Sequence, residues 1–278
     1  MRFGYIGLGN IGAPMAEHLV APGEAPLVFD AVPAAMAPFR GRAQLAASPA
    51  DIGREADAVA VCVRDDADVR AVIEGEGGLL ETMRGGVVAI HSTVRPSTVI
   101  DLARAAAAHG VALLDAAVTG GPDGARRKAL TCMVGGAAAD VARLQPLLDL
   151  YCSAVIHAGD AGAGMALKIA NNLVTYVELL AALEGYRLAA ASGLDPALLD
   201  EVMTNNGNLT PSMRAYMQHR RTGADRMGAD GYRATQEALL ILADKDLALA
   251  AEVAAEHGLA LPLVESTRRH FPDAVMKG

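Results

Sequence analysis

The sequence predicts two domains of different class. A doubly wound, Rossmann-type parallel α/β sheet is expected over residues 1–160 and an all-α domain over residues 161–278, joined by a long interdomain helix. Three observations predict this. Short apolar β-type runs alternate with helix-length segments up to about residue 157, a glycine cluster follows the first run directly, and from about Gly162 long alanine- and leucine-rich segments replace the strands. Continuous apolar runs joined by helix-length crossovers belong to strands covered on both faces of a parallel sheet. A chain of 278 residues is long enough to bury a core in each domain.

In chain order the strands read as RFGYI (2–6), PLVF (26–29), AVAVCV (58–63), GVVAI (86–90) and VALLD (111–115). The helical half opens with residues 164–191, apolar on most sides, a pattern that predicts burial between partners. Lys168, Asn171, Asn172, Glu178, Glu184 and Arg187 interrupt that stretch and make it a poor membrane span. In SGLDP (192–196), Gly193 closes the helix, Asp195 is the N-cap of the next one and Pro196 takes its first position. Further helices are expected through DKDLALAAEVAAEHG (244–258) to the end.

Composition narrows the function. Hydrophobic residues make up 52% of the chain against 20% charged, which excludes disorder. A net charge of −8 provides no basic field for a polyanion, so nucleic acid is not an expected partner. The three cysteines, Cys62, Cys132 and Cys152, form no C-x-x-C pair, so neither a disulfide framework nor a metal site is indicated and a reducing cytoplasm fits. The N-terminus runs straight into a structured motif and does not read as a signal peptide, so no membrane partner is expected.

That motif is GYIGLGNIG. Gly7, Gly9 and Gly12 form G-x-G-x-x-G after a strand and at the start of a helix, the setting of a dinucleotide-binding turn, and Leu8, Asn10 and Ile11 complete it. The first glycine permits the turn, the second admits the pyrophosphate, and the third lets helix and strand pack closely. The next strand ends in LVFD, placing Asp30 where a carboxylate accepts hydrogen bonds from the adenosine ribose. Ala31, Val32 and Pro33 supply no arginine for a 2′-phosphate, so NAD is expected rather than NADP.

One lysine draws attention, because the chain has four lysines against twenty arginines. Lys168 lies in GAGMALKIANNLV, inside the helix expected to be buried, with Asn171 and Asn172 on its own face. Desolvation lowers a lysine pKa toward values useful for proton transfer, which makes Lys168 a candidate general acid/base. A lysine that snorkels to water beside two capping asparagines would produce the same pattern.

With these motifs in hand, the chain resembles the β-hydroxyacid dehydrogenase family over nearly its whole length. GYIGLGNIGAPMAEHL is similar to the family's N-terminal signature, HSTVRPST (91–98) to its S-T-x-x-P segment and DAAVTGG (115–121) to its D-A-P-V-S-G-G substrate loop. GAGMALKIANN matches the G-x-x-x-K-x-x-x-N catalytic helix, and DKDLALA (244–250) the K-D-L segment. The resemblance implies that Lys168 is catalytic, that Asn172 orients the substrate, and that Thr119, Gly120 and Gly121 hold its carboxylate. It also implies that Thr93 approaches the nicotinamide, that Lys245 reaches the cofactor, that Asp246 braces the substrate site, and that Val63 and Arg64 run along the dinucleotide.

Three departures from the family pattern stand out. Ala117 and Thr119 replace the loop's proline and serine, Ala238 stands where an aromatic is common, with Tyr232 the nearest upstream, and Arg64 replaces a Leu- or Pro-like residue. The implied reaction is NAD-dependent oxidation of a small 3-hydroxy acid of the 3-hydroxyisobutyrate type by a homodimer or homotetramer. Reduction of a small aldehyde acid, such as tartronate or succinic semialdehyde, or of an imine with NADPH is the alternative, although imine reductases of this architecture generally lack the lysine. A 6-phosphogluconate-type decarboxylation would need a longer helical domain. A non-catalytic NAD-binding scaffold would be expected to have lost Lys168.

Overall fold

The computed structural model describes residues 1–20 and 25–277, and the chain divides into two compact units, Met1–Lys168 and Ile169–Gly278. In the first unit the chain runs β1 (Phe3–Ile6), α1 (Gly12–Glu17), β2 (Leu27–Phe29), α2 (Pro33–Met36), β3 (Gln44–Leu45), α3 (Pro49–Glu55) and β4 (Ala58–Val61). It continues through α4 (Asp66–Glu74), α5 (Leu79–Thr82), β5 (Val87–Ile90), α6 (Pro96–Ala107), β6 (Ala112–Thr119), α7 (Gly121–Arg126), β7 (Leu130–Gly135), α8 (Ala138–Leu148) and β8 (Cys152–Gly159).

The strands form one sheet in the order β3-β2-β1-β4-β5-β6-β7-β8. Strand order reverses between β1 and β4, the switch point outside which open α/β sheets bind their ligands. All five strands read from the sequence are present, and their pairings from β3 to β6 are parallel. The sheet goes further than the sequence reading. β7 returns antiparallel to β6 through a connection too short for a full crossover, and β8 then pairs parallel to β7. Alternate residues of each strand feed opposite faces: Tyr5, Ala60 and Ala89 join one apolar core, Ile6, Val61 and Ile90 the other. That two-sided burial explains the unbroken apolar runs.

The helix α9 (Ala163–Ala191) begins in the first unit and leads into the second, which adds α10 (Pro196–Asn205), α11 (Pro211–Glu256) and α12 (Pro262–Lys277). Asp195 caps α10, its carboxylate accepting the Ala197 N–H at 2.9 Å, with Pro196 at the first position as its sequence implies. Gly228 breaks α11 with a non-helical φ of 77°. The core of this unit packs Tyr176, Leu180 and Leu183 against Met213, Met217, Leu247 and Phe271.

The sequence leads one to expect α9 buried between partners, and within this chain part of it is left uncovered. Leu167, Val174, Ala181 and Leu188 recur every seven residues and all are exposed, Leu188 at 70%. This seam belongs to a broader exposed face with Ala170, Glu178 and Glu184, and the opposite face, with Met165, Ile169, Tyr176 and Leu183, carries the buried contacts. Among the described residues α9 is the one helix long and apolar enough to cross a membrane.

Candidate active site

In the first unit, the residues expected to hold cofactor or substrate lie at or just beyond the carboxyl end of a strand, or on the helix anchored there, while Ala117 is buried within β6. Gly7 follows β1 with φ of +93°, and a Cβ on it would run into the Cys62 carbonyl oxygen. A Cβ on Gly12 would strike the Gly7 carbonyl oxygen, so α1 sits directly on the turn. Gly9 differs, because a Cβ there meets nothing within 4 Å. Two glycines are therefore demanded by the fold, and the third leaves open space at the place assigned to a pyrophosphate.

Asp30 follows β2 and is half-buried. Its Oδ2 accepts the Leu8 N–H at 2.6 Å and its Oδ1 the Val32 N–H at 2.7 Å. Each carboxylate oxygen keeps a lone pair for a hydroxyl, so one side chain both braces the glycine turn and can receive a ribose. The open position at Gly9, the braced turn and this carboxylate fit a dinucleotide cofactor.

Beyond β4, the Val63 N–H donates to the buried Ser92 Oγ at 2.8 Å, tying the loop after β4 to the one after β5 that carries half-buried Thr93. Arg64 turns back onto α4, with Nε 2.7 Å from Asp68 Oδ2 and Nη2 3.1 Å from Asp68 Oδ1, and its side chain stays 85% exposed. His91 is buried. A carbonyl only accepts, so Nδ1–H donates to Ala116 O at 2.5 Å, and Nε2 receives the Tyr151 hydroxyl proton at 2.8 Å. Burial lowers the His91 pKa to about 4, so the ring is neutral at pH 7.

At the end of β6, Thr119 is half-buried, Gly120 and Gly121 take φ of +123° and +63°, and a Cβ on Gly121 meets only open space. Earlier on β6 the fully buried Asp115 reaches the start of α9, accepting Gly162 N–H at 2.9 Å through Oδ1 and Met165 N–H at 2.6 Å through Oδ2. Desolvation pushes its pKa up while these N–H donors pull it down. Gly164 packs so tightly here that a Cβ would meet Met133 O at 2.5 Å. Lys168, one turn past Met165, is buried at 9% exposure on a helix whose first turn is fixed to the sheet.

The second unit holds a separate polar cluster. Asp246, 2% exposed, accepts Asn172 Nδ2 at 2.7 Å and the Tyr176 hydroxyl at 3.1 Å, both on Oδ2. Its Oδ1 receives no hydrogen bond of good angle but stands 3.1 Å from Lys245 Nζ, so charge rather than a directed bond compensates it. Burial, followed by the Asp246 charge, raises the Tyr176 pKa, and its phenol stays protonated as donor. Ala238 is exposed on α11, and Tyr232 packs on His219 with ring centroids 5.4 Å apart.

Sequence reasoning did not single out Asp115, His91, Tyr151, Ser92 or Tyr176. Tyr176 had a visible signal, since Lys168, Asn172 and Tyr176 recur every four residues on one helix face. Among the described residues no group of three or more His, Cys, Asp or Glu side chains could hold a metal ion, and the three cysteines are free.

Two family models cover the chain. Residues 2–159 match the NAD binding domain of 6-phosphogluconate dehydrogenase, and residues 162–278 match the NAD-binding domain of NADP-dependent 3-hydroxyisobutyrate dehydrogenase. An oxidoreductase of Mycobacterium tuberculosis is 40% identical over 95% of this chain and 90% of its own length. The 3-hydroxyisobutyrate dehydrogenase of Pseudomonas aeruginosa is 36% identical over 88% of this chain and 83% of its own. Among solved structures, a 3-hydroxyisobutyrate dehydrogenase from Salmonella typhimurium is 28% identical, with a TM-score of 0.83 over 100% of this chain and 99% of that one.

Proposed function

This chain belongs to the β-hydroxyacid dehydrogenase family and is an NAD(P)-binding oxidoreductase, and from that premise we propose that it oxidises a small 3-hydroxy acid with NAD, using Lys168 as general acid/base. The observation that carries this reading is the clasp of Asp115 on the first turn of α9. It secures the helix of buried Lys168 to the strand that ends in Thr119, Gly120 and Gly121.

The turn from Gly7 to Gly12, with Asp30, Val63, Arg64, Thr93 and Lys245, would hold the cofactor, which when bound supplies the hydride acceptor. Asp30 favours NAD because its carboxylate repels a 2′-phosphate and also braces Leu8. The Thr119 hydroxyl and the backbone N–H groups of Gly120 and Gly121 would receive the substrate carboxylate. In the step proposed, the substrate O–H bond breaks and its proton passes to neutral Lys168 Nζ, while the two electrons of the carbinol C–H bond would be taken up by the cofactor when bound. In reverse the ammonium returns the proton to the carbonyl oxygen. Asn172, drawn onto Asp246, would hold the reacting end in register, the positional contribution that makes transfer effectively unimolecular.

The similarity to 3-hydroxyisobutyrate dehydrogenases supports a compact branched or unbranched 3-hydroxy acid as substrate. The exposed seam of four residues spaced seven apart on α9 suits a second copy of the chain, so the working form is a homodimer or homotetramer. Three free thiols suit the cytoplasm.

The test is reduction of NAD, with NADP in parallel, against 3-hydroxyisobutyrate, glycerate, serine, 3-hydroxypropionate and 4-hydroxybutyrate. Turnover with NAD of one of the first four, each a 3-hydroxy acid, supports the reading, whereas turnover of 4-hydroxybutyrate alone supports the semialdehyde alternative. Cofactor binding with silence across the panel would sink it.

A further inference from the structure

Asp246 is a buried carboxylate whose Oδ2 serves two donors at once, Asn172 Nδ2 at 2.7 Å and Tyr176 OH at 3.1 Å. A carboxylate accepts only, so the amide of Asn172 must turn its NH₂ edge toward Asp246. One N–H is spent there, and the direction of the second N–H and of Oδ1 follows. Asn171 Nδ2 lies 3.3 Å from that Oδ1, too long to set the amide against a charge-assisted bond. The orientation of Asn172 therefore depends on where Asp246 Oδ2 stands.

Among the described contacts, two groups besides Asn172 bear on that position. Lys245 Nζ attracts Oδ1 from 3.1 Å without a directed bond, so this ion pair does not by itself set the angle of the carboxylate. Tyr176 supplies a directed contact. Its ring is 6% exposed and packed edge-on against Phe271, with centroids 5.7 Å apart, so the hydroxyl reaches Oδ2 from a rigid base. Asn172 and Tyr176 are one helical turn apart, so both donors approach Oδ2 from a single helix face.

We propose that Tyr176 is a positioning residue of the substrate site, acting through Asp246 to fix the free edge of the Asn172 amide. This rests on the reading of Asn172 as a substrate-orienting group. The phenol touches no reacting atom. Its effect is on how well the substrate is held, so removing the hydroxyl raises KM and lowers kcat/KM while cofactor affinity stays unchanged.

The experiment is a double-mutant cycle with Tyr176→Phe and Asn172→Ala, read in kcat/KM and in NADH binding, together with the ¹H–¹⁵N side-chain amide signal of Asn172. The expected result is an about ten-fold lower kcat/KM in Tyr176→Phe, carried mainly by KM, with the NADH Kd unchanged. In the Asn172→Ala background the same substitution should have little further effect. The Asn172 amide signal should shift in Tyr176→Phe. Additive losses, or an unshifted amide in an active enzyme, would overturn the coupling. A wild-type chain that binds NADH but turns over no hydroxy acid would overturn the dehydrogenase reading instead, and an amide shift would then still support the coupling.

Discussion

Protonating His91 should cost the protein stability in a defined pH window. The imidazole is 3% exposed, stacks on Tyr5 with ring centroids 6.5 Å apart and meets Tyr151 edge-on at 5.5 Å. It is neutral in the fold, with burial lowering its pKa from 6.5 to about 4. A histidine with a depressed folded pKa contributes stability that is fully present above its unfolded pKa and is lost as pH falls through the folded one. The window therefore runs from pH 6.5 down to about 4, and the loss accumulates to about 3 kcal/mol at its lower end. Urea unfolding at half-unit pH intervals measures it, with His91→Asn as reference, because an amide can donate to Ala116 O without titrating. The wild type should lose about 3 kcal/mol relative to the variant across the window. Parallel profiles for the two chains, or an NMR titration of His91 centred above pH 6, would refute the reasoning.

Other expectations follow from single contacts. Asp115→Ala removes two buried carboxylate bonds to the first turn of α9 and should cost roughly 3–5 kcal/mol in urea unfolding; a loss below about 1 kcal/mol would show that packing alone holds the helix. Gly9→Ala and Gly12→Ala should separate function from fold. The Gly9 variant keeps its melting temperature but loses at least about ten-fold in NADH affinity, whereas the Gly12 variant is destabilised by about 1–3 kcal/mol because its Cβ strikes Gly7 O. Asp30→Ala frees Leu8 N and removes the repulsion of a 2′-phosphate, so titration calorimetry should show the NAD over NADP preference falling by about ten-fold.

Much of this architecture is visible in the sequence, because two-sided burial writes itself as apolar runs. β1, β2, β4, β5 and β6 carry such runs, and each pairs within the sheet. β8 does not, since most of CSAVIHAG is exposed at the sheet edge, and β3 is only two residues long. The antiparallel return of β7 runs through Gly120, Gly121 and the short α7, and the positive φ values of the two glycines are no more visible than those of any other glycine pair.

The site divides the same way. The glycine turn, Asp30 and the polar stripe on α9 announce themselves through spacing. Asp115 appears in DAAVTGG as one acid among many, because its partners Gly162 and Met165 lie 47 and 50 residues away. Tyr176 and Asp246 are 70 residues apart. A hydrogen bond across that distance in sequence has no periodicity to reveal it. The apolar character of α9 was legible, but the outward direction of its Leu167, Val174, Ala181 and Leu188 seam was not, since periodicity does not say which face the fold leaves uncovered.

Whether Lys168 moves the proton is read from kcat of Lys168→Ala alongside its NADH affinity. Loss of the proton carrier should lower kcat by about a hundred- to ten-thousand-fold with NADH binding unchanged. Near-normal kcat with intact NADH binding would contradict it.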